Sequence, residues 1–149
     1  MSVRLYLDTS VVSARVDDRL PERRQATVDF WGRLTEYEVA ISELTLAEIQ
    51  ATADPALRQE MEASVRGFEV LPVGVESRRL AQEYVRRGVF SPATLDDGVH
   101  VAVAVLSRRH VLVSWNFRHL VNRRRRALIN EVNILAGFPT IEIVAPPEV

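Results

Sequence analysis

The chain has 149 residues and 16.8 kDa, room for one domain, and its 47% hydrophobic and 26% charged residues are the make-up of a globular chain rather than a disordered one. Nineteen basic residues against twenty acidic ones leave a net charge of −1 and no global positive field for nucleic acid. Every one of those bases is arginine, and the absence of lysine and cysteine excludes Schiff-base and Walker P-loop chemistry, lysine-dependent receivers and phosphatases, thiolate zinc sites, disulfide scaffolds and cysteine catalysis.

In chain order, β-rich runs fall at Val3–Leu7, Val39–Ser42, Phe68–Val73, Val111–Ser114 and Ile141–Val144. Between them, Thr27–Tyr37 reads as a helix with Phe30, Trp31 and Leu34 on an apolar stripe, followed by helices at Leu46–Ala53, Ala56–Gly67 and Glu76–Arg87. Thr94–Arg109 is apolar almost all round, the pattern of a buried helix. A last helix spans Arg123–Ala136, with Leu128, Val132 and Leu135 at i, i+4 and i+7 and with Gly137 and Pro139 as stop signals. Strands alternating with helices predict a three-layer α/β fold, a mostly parallel five-stranded sheet with helices on both faces, in one domain over 1–149. The pattern leaves the strand order open. The longest apolar run, Val101–Leu106, is far short of the ~20 residues of a membrane span. With no cysteine and no apolar leader segment, a reducing, cytoplasmic setting is expected.

In such a sheet ligands bind at the carboxyl ends of the strands. Asp8 directly follows the first strand, Glu48 sits near the start of the helix after the second, and Asp97 begins the helix that leads into the fourth. All three acids are therefore expected at one edge, and Asn116 ends the fourth strand there too. Oxygen-only ligands of this kind suit Mg²⁺ or Mn²⁺, which activate water and stabilise a pentavalent phosphate in phosphodiester hydrolysis. Each acid also fits a plainer role. Thr45-Leu46-Ala47-Glu48 and Thr94-Leu95-Asp96-Asp97 match capping boxes, and Asp8-Thr9-Ser10 matches a strand-end turn.

The residues that carry these acids resemble the PIN-domain ribonucleases, in particular VapC-like toxins of type II toxin–antitoxin systems. The matching blocks are Leu7-Asp8-Thr9-Ser10-Val11, Ser42–Ile49 with Glu48, Leu95–Ala102 with Asp97, and Leu112–Asn122 with Asn116. The resemblance implies a PIN-like fold, Mg²⁺- or Mn²⁺-dependent cleavage of RNA, a cognate antitoxin as partner, and a homodimer. It maps the catalytic and metal-binding acids onto Asp8, Glu48 and Asp97, with Asp97 preferred to Asp96 because the acid stands three residues before His100. The departure is Asn116, where many relatives carry aspartate. Asparagine keeps a carbonyl oxygen but no charge, which favours one metal over two. It also leaves open an alternative: a weak or inactive binding module whose acidic pocket docks an arginine-rich protein partner.

Supporting roles are expected for Thr9, Ser10, Asn116 and Asp96, although adjacent helical residues point ~100° apart and turn Asp96 elsewhere. His100 reads as a satisfied core histidine rather than a ligand. Trp115 and Phe117 flank Asn116, as base-stacking surfaces or as core. Arg118, Arg123 and Arg124 are candidate RNA contacts, while Arg108-Arg109-His110 fits the C-terminal dipole of its helix.

Overall fold

The computed structural model describes residues 2–149. Five short strands, β1 (Arg4–Leu7), β2 (Glu38–Ser42), β3 (Glu69–Leu71), β4 (Val111–Val113) and β5 (Glu142–Val144), form one parallel sheet in the order β3-β2-β1-β4-β5. Seven helices join them: α1 (Thr9–Val16), α2 (Pro21–Trp31), α3 (Glu43–Gln50), α4 (Pro55–Ser64), α5 (Val75–Arg86), α6 (Leu95–Leu106) and α7 (Arg123–Leu135). No helix among the described residues is long and apolar enough to cross a membrane.

A parallel sheet covered on both faces buries apolar side chains on each of them, which is why the central strands read as apolar runs rather than alternations. The pleat then divides them. Leu5, Leu7, Ile41, Val111 and Val113 pack on one face against Val11, Val12, Phe30, Ile49 and Met61 of α1–α4. Tyr6, Ala40, Leu112 and Ile143 pack on the other against α5, α6 and α7, through residues such as Leu80, Tyr84, Val101 and Ile129. The three layers expected from the sequence are present.

The strand order supplies what the pattern left open. From β1 the chain steps outward to β2 and β3, then crosses to the other side of β1 for β4 and β5. The order reverses between β1 and β4, and the crevice beyond their carboxyl ends is the ligand position of a doubly wound sheet.

Two helices differ from expectation. Thr9–Val16 forms α1, because Asp8, extended at φ −80° and ψ 173°, accepts the Ser10 amide and caps it, where the sequence also allowed a simple turn. The segment expected as helix over Thr27–Tyr37 instead starts at Pro21, in the first helical turn where its missing N–H costs nothing, and ends at Trp31 before Gly32. A short 3-10 turn, Leu34–Glu36, follows. The apolar stripe revealed only the buried half of α2.

Candidate functional site

Asp8 leaves the end of β1 at the reversal point and is 5% exposed. Its amide donates to the Val113 carbonyl of β4 at 3.2 Å, which ties the two strand ends together. Oδ1 accepts the Ser10 hydroxyl at 2.5 Å and the Ser10 amide at 3.1 Å, and Oδ2 accepts the Ser114 hydroxyl at 2.5 Å. Burial lifts this carboxyl above the ordinary aspartate range, against the pull of the His100 charge, the two hydroxyls and the Val11 amide.

Glu48 lies well inside α3. The capping expected of it falls to other residues: Ser42 is the N-cap, accepting the Thr45 amide at 3.5 Å while Thr45 Oγ1 accepts the Ser42 amide at 3.2 Å. Glu48 is thereby free to reach inward. Its Oε1 accepts the Thr9 hydroxyl at 2.7 Å and His100 Nε2–H at 2.5 Å. Burial raises the Glu48 carboxyl, but the His100 hydrogen bond and charge, with Thr9, outweigh burial and hold it below the usual glutamate value.

Asp97 occupies the first turn of α6 and does not cap it, since Thr94 makes no side-chain cap bond there. Its Oδ2 instead takes a hydrogen bond from His119 Nδ1 at 3.0 Å. Burial pushes Asp97 up; His119 and His100 pull it down, and the Glu48 charge pushes it up again. Asp96 is exposed and points away, as helical geometry requires.

His100 is the hub. It is 3% exposed, and its Nδ1 lies 2.6 Å from Tyr6 Oη, which in turn lies 2.7 Å from Ser42 Oγ. Burial works against the imidazolium, but Tyr6, the Glu48 hydrogen bond and the Asp8 and Glu48 charges lift the imidazole to about 10. Protonated, the ring donates to Glu48 from Nε2 and to Tyr6 from Nδ1. It is buried and satisfied, as the core reading requires, and its partner is one of the three acids. Its charge acts on Asp8, Glu48 and Asp97 alike.

Asn116 follows the fourth strand, but its carbonyl oxygen accepts the His119 amide at 2.9 Å. Its side chain caps the turn that holds His119 beside Asp97. Sequence reasoning passed over His119, Ser114 and Tyr6. Ser114 was within reach of the strand-end argument that located Asp8; His119 lies in a loop, where no periodicity marks it.

Among the described residues, no three or more His, Cys, Asp or Glu side chains gather as a ready metal cage. Each acid is instead capped by a hydroxyl or an imidazole. The donor chemistry nevertheless fits a hard dication held by one or two carboxylates with water filling the rest of its shell. Asp8 and Asp97 are the two acids that burial lifts, so a neighbouring cation relieves both.

The arginine candidates divide. Arg118, Arg123 and Arg124 are exposed, whereas Arg125 and Arg126 donate to the Val89 and Ile143 carbonyls. Arg109 does not serve its helix end as expected: it is buried and pairs with Glu69 of β3 at 3.0 Å. Trp115 is half-buried with Nε1 donating to Thr27 Oγ1 at 2.8 Å, while Phe117 is 48% exposed.

Comparison with curated protein sequences gives no match. Among solved structures, VapBC2 from Rickettsia felis, bound to a DNA fragment from its promoter, aligns with a TM-score of 0.62 at 13% identity over 96% of this chain and 98% of its own. VapC20 from Mycobacterium tuberculosis, a Sarcin-Ricin loop cleaving toxin, aligns with a TM-score of 0.62 at 14% identity over 92% of this chain and 98% of its own. These likenesses are of fold. The PIN domain family model matches residues 5–116, which run from β1 through all three acids to Asn116, and the chain belongs to the PIN-domain family.

Proposed function

We propose that this protein is a metal-dependent endoribonuclease, cleaving RNA phosphodiester bonds as the toxin of a toxin–antitoxin pair. One observation supports the reading: in a PIN-domain chain, Asp8 leaves β1 at the reversal point of the sheet, and buried His100 hydrogen-bonds Glu48 while its charge acts on Asp8 and Asp97. Asp8 and Asp97 are the residues to hold Mg²⁺ or Mn²⁺, which when bound supplies an activated water and charge stabilisation of the phosphate. Ser10 and Ser114 fix the Asp8 carboxylate, Thr9 and His100 fix Glu48, and His119 fixes Asp97. These donors hold the acid oxygens in place before substrate arrives, the preorganisation that electrostatic catalysis needs. The fold neighbours, one a Sarcin-Ricin loop cleaving toxin and one VapBC2 bound to a DNA fragment from its promoter, motivate RNA as substrate and an antitoxin as partner. A homodimer belongs to the same reading.

Cleavage of structured RNA with Mg²⁺ or Mn²⁺ tests it. Chelator is expected to abolish cleavage, and Asp8→Asn or Asp97→Asn to reduce it by about a hundredfold or more, the scale of losing one electrostatic contact to the transition state. Cleavage surviving both substitutions ends the nuclease reading. In cells, the protein expressed alone is expected to arrest growth, with relief by Asp97→Asn.

A second reading is favoured by Asn116, whose carbonyl is committed to the His119 amide. In it the acidic pocket is a module that docks an arginine-rich partner. Calorimetry separates the two: divalent-metal binding by the wild type, lost in Asp97→Asn, supports the nuclease.

A further inference from the structure

Beside the acids lies a cleft of about 570 Å³ between α1 and α2, lined by Ser10, Ala14, Arg23, Arg24, Trp115 and Asn116. It is tied directly to Asp8. The Ser10 hydroxyl that donates to Asp8 also accepts the Trp115 amide at 2.9 Å, so the Trp115 backbone is mounted on the Asp8 carboxylate through one atom. The indole is anchored from its other side by Thr27 of α2.

Over this indole lies Arg23, with its Cζ 4.9 Å from the Trp115 ring centroid and 5.8 Å from that of Phe117. The two rings meet edge to face, 6.0 Å apart at 67°. Neighbouring arginines have partners: Arg19 pairs with Asp17, and Arg24 donates to the Arg15 carbonyl. Arg23 makes no salt bridge and no side-chain hydrogen bond among the described residues. A guanidinium over an aromatic platform with no hydrogen-bond partner has its N–H donors to offer, and that planar fork matches a phosphate. Phe117 adds an exposed π-face next to it, of the kind on which single-stranded nucleic acids stack whatever the base.

We propose that this cleft is the subsite for the nucleotide next to the scissile bond, with Arg23 taking its phosphate, Phe117 stacking its base, and Trp115 positioning Arg23. The inference rests on the ribonuclease reading and deepens it. It is compatible with a net charge of −1, since the contact is one guanidinium and one ring beside Ser10 and Asn116.

The test separates this subsite from the nuclease itself. In steady-state cleavage of a single-stranded RNA of about eight nucleotides, a length within the usual single-strand site sizes, Phe117→Ala and Arg23→Gln are each expected to raise KM about tenfold with kcat within about twofold. Arg23→Gln is also expected to flatten the salt slope of RNA affinity by about 0.7, the share of one phosphate contact on a single strand. Binding is read without cleavage in a Trp31→Phe protein under chelator, where Trp115 is the remaining indole. RNA is expected to change its fluorescence, and wild type to prefer an intact strand over one made abasic in the middle. Phe117→Ala is expected to lose that preference.

Wild-type cleavage with KM and salt slope unmoved in both variants overturns the subsite and leaves the nuclease standing. Trp115 responding to RNA, with the abasic preference intact and no cleavage by wild type, overturns the nuclease reading and with it the placement next to a scissile bond, and supports only nucleotide contact by Phe117. Trp115 responding to an acidic peptide and not to RNA overturns the subsite.

Discussion

Tyr84 and Asn133 are both wholly buried, and the Tyr84 hydroxyl donates to Asn133 Oδ1 across the α5–α7 contact. Burial lifts the phenol well above its ordinary range, so it stays a neutral donor. Asn133 passes the connection to Asn130 at 3.3 Å, and Asn130 brackets Ile141 at the start of the β5 segment, accepting its amide and donating to its carbonyl. Removing one partner from a buried pair leaves the other desolvated and unmatched. Tyr84→Phe is therefore expected to lower stability by about 1–3 kcal/mol in urea unfolding, although it deletes a single oxygen. Combining it with Asn133→Leu is expected to cost less than the sum of the single changes, with a coupling of about 1 kcal/mol. Additive losses would show that the hydrogen bond contributes nothing. The same logic governs His100: a buried histidine is bland only until its partners are known, and here they are Tyr6 and a site acid.

Helix α6 links the site to the core. Asp97 is in its first turn, and every residue from Gly98 to Val105 is buried, in agreement with the all-round apolar pattern. Gly98 allows the close approach of α5 and the loop after it: a Cβ there would stand 3.2 Å from Phe90 Cδ2 and 3.7 Å from the Ala81 Cβ. Gly98→Val adds two further methyl groups where even the first carbon is crowded, so a loss of about 1–3 kcal/mol is expected by thermal unfolding. An unchanged Tm would mean that Phe90 moves freely. Helices α5, α6 and α7 were legible to within a few residues, α6 because apolar residues on every side mark a buried helix and α7 because its apolar stripe at i, i+4 and i+7 marks one face. Helix α1 was not, for its first residues are polar and serve the site: Asp8 caps the helix while Thr9 and Ser10 bond the acids. Local chemistry that serves a helix start and a site reads equally well as a turn.

At the level of the molecule, the five strands and their parallel pairing were readable, and the strand order was not, because the same alternation of strands and helices satisfies several orders. That order decides the site, since it makes β1 and β4 neighbours and so joins Asp8 to Ser114. Likewise the sequence names Asp8, Glu48 and Asp97 as candidates one by one, whereas the hydrogen-bond partners of Asp8 and Asp97, Ser114 and His119, come from parts of the chain that only the fold brings together. The resulting site holds Asp8 and Asp97 as carboxyls lifted by burial, so the folded state carries electrostatic strain that a bound cation would relieve. A ligand that binds only the folded chain stabilises it by mass action. At Mg²⁺ or Mn²⁺ tenfold above the dissociation constant, the gain is about 1.4 kcal/mol, an increase in Tm of about 3–6 °C for a chain of this length. Chelator is expected to reverse the rise, and Asp97→Asn to remove most of it while leaving the metal-free protein at least as stable as the wild type. An equal rise in Asp97→Asn would assign the metal to other oxygens, and no rise at millimolar metal would favour the binding module over the nuclease.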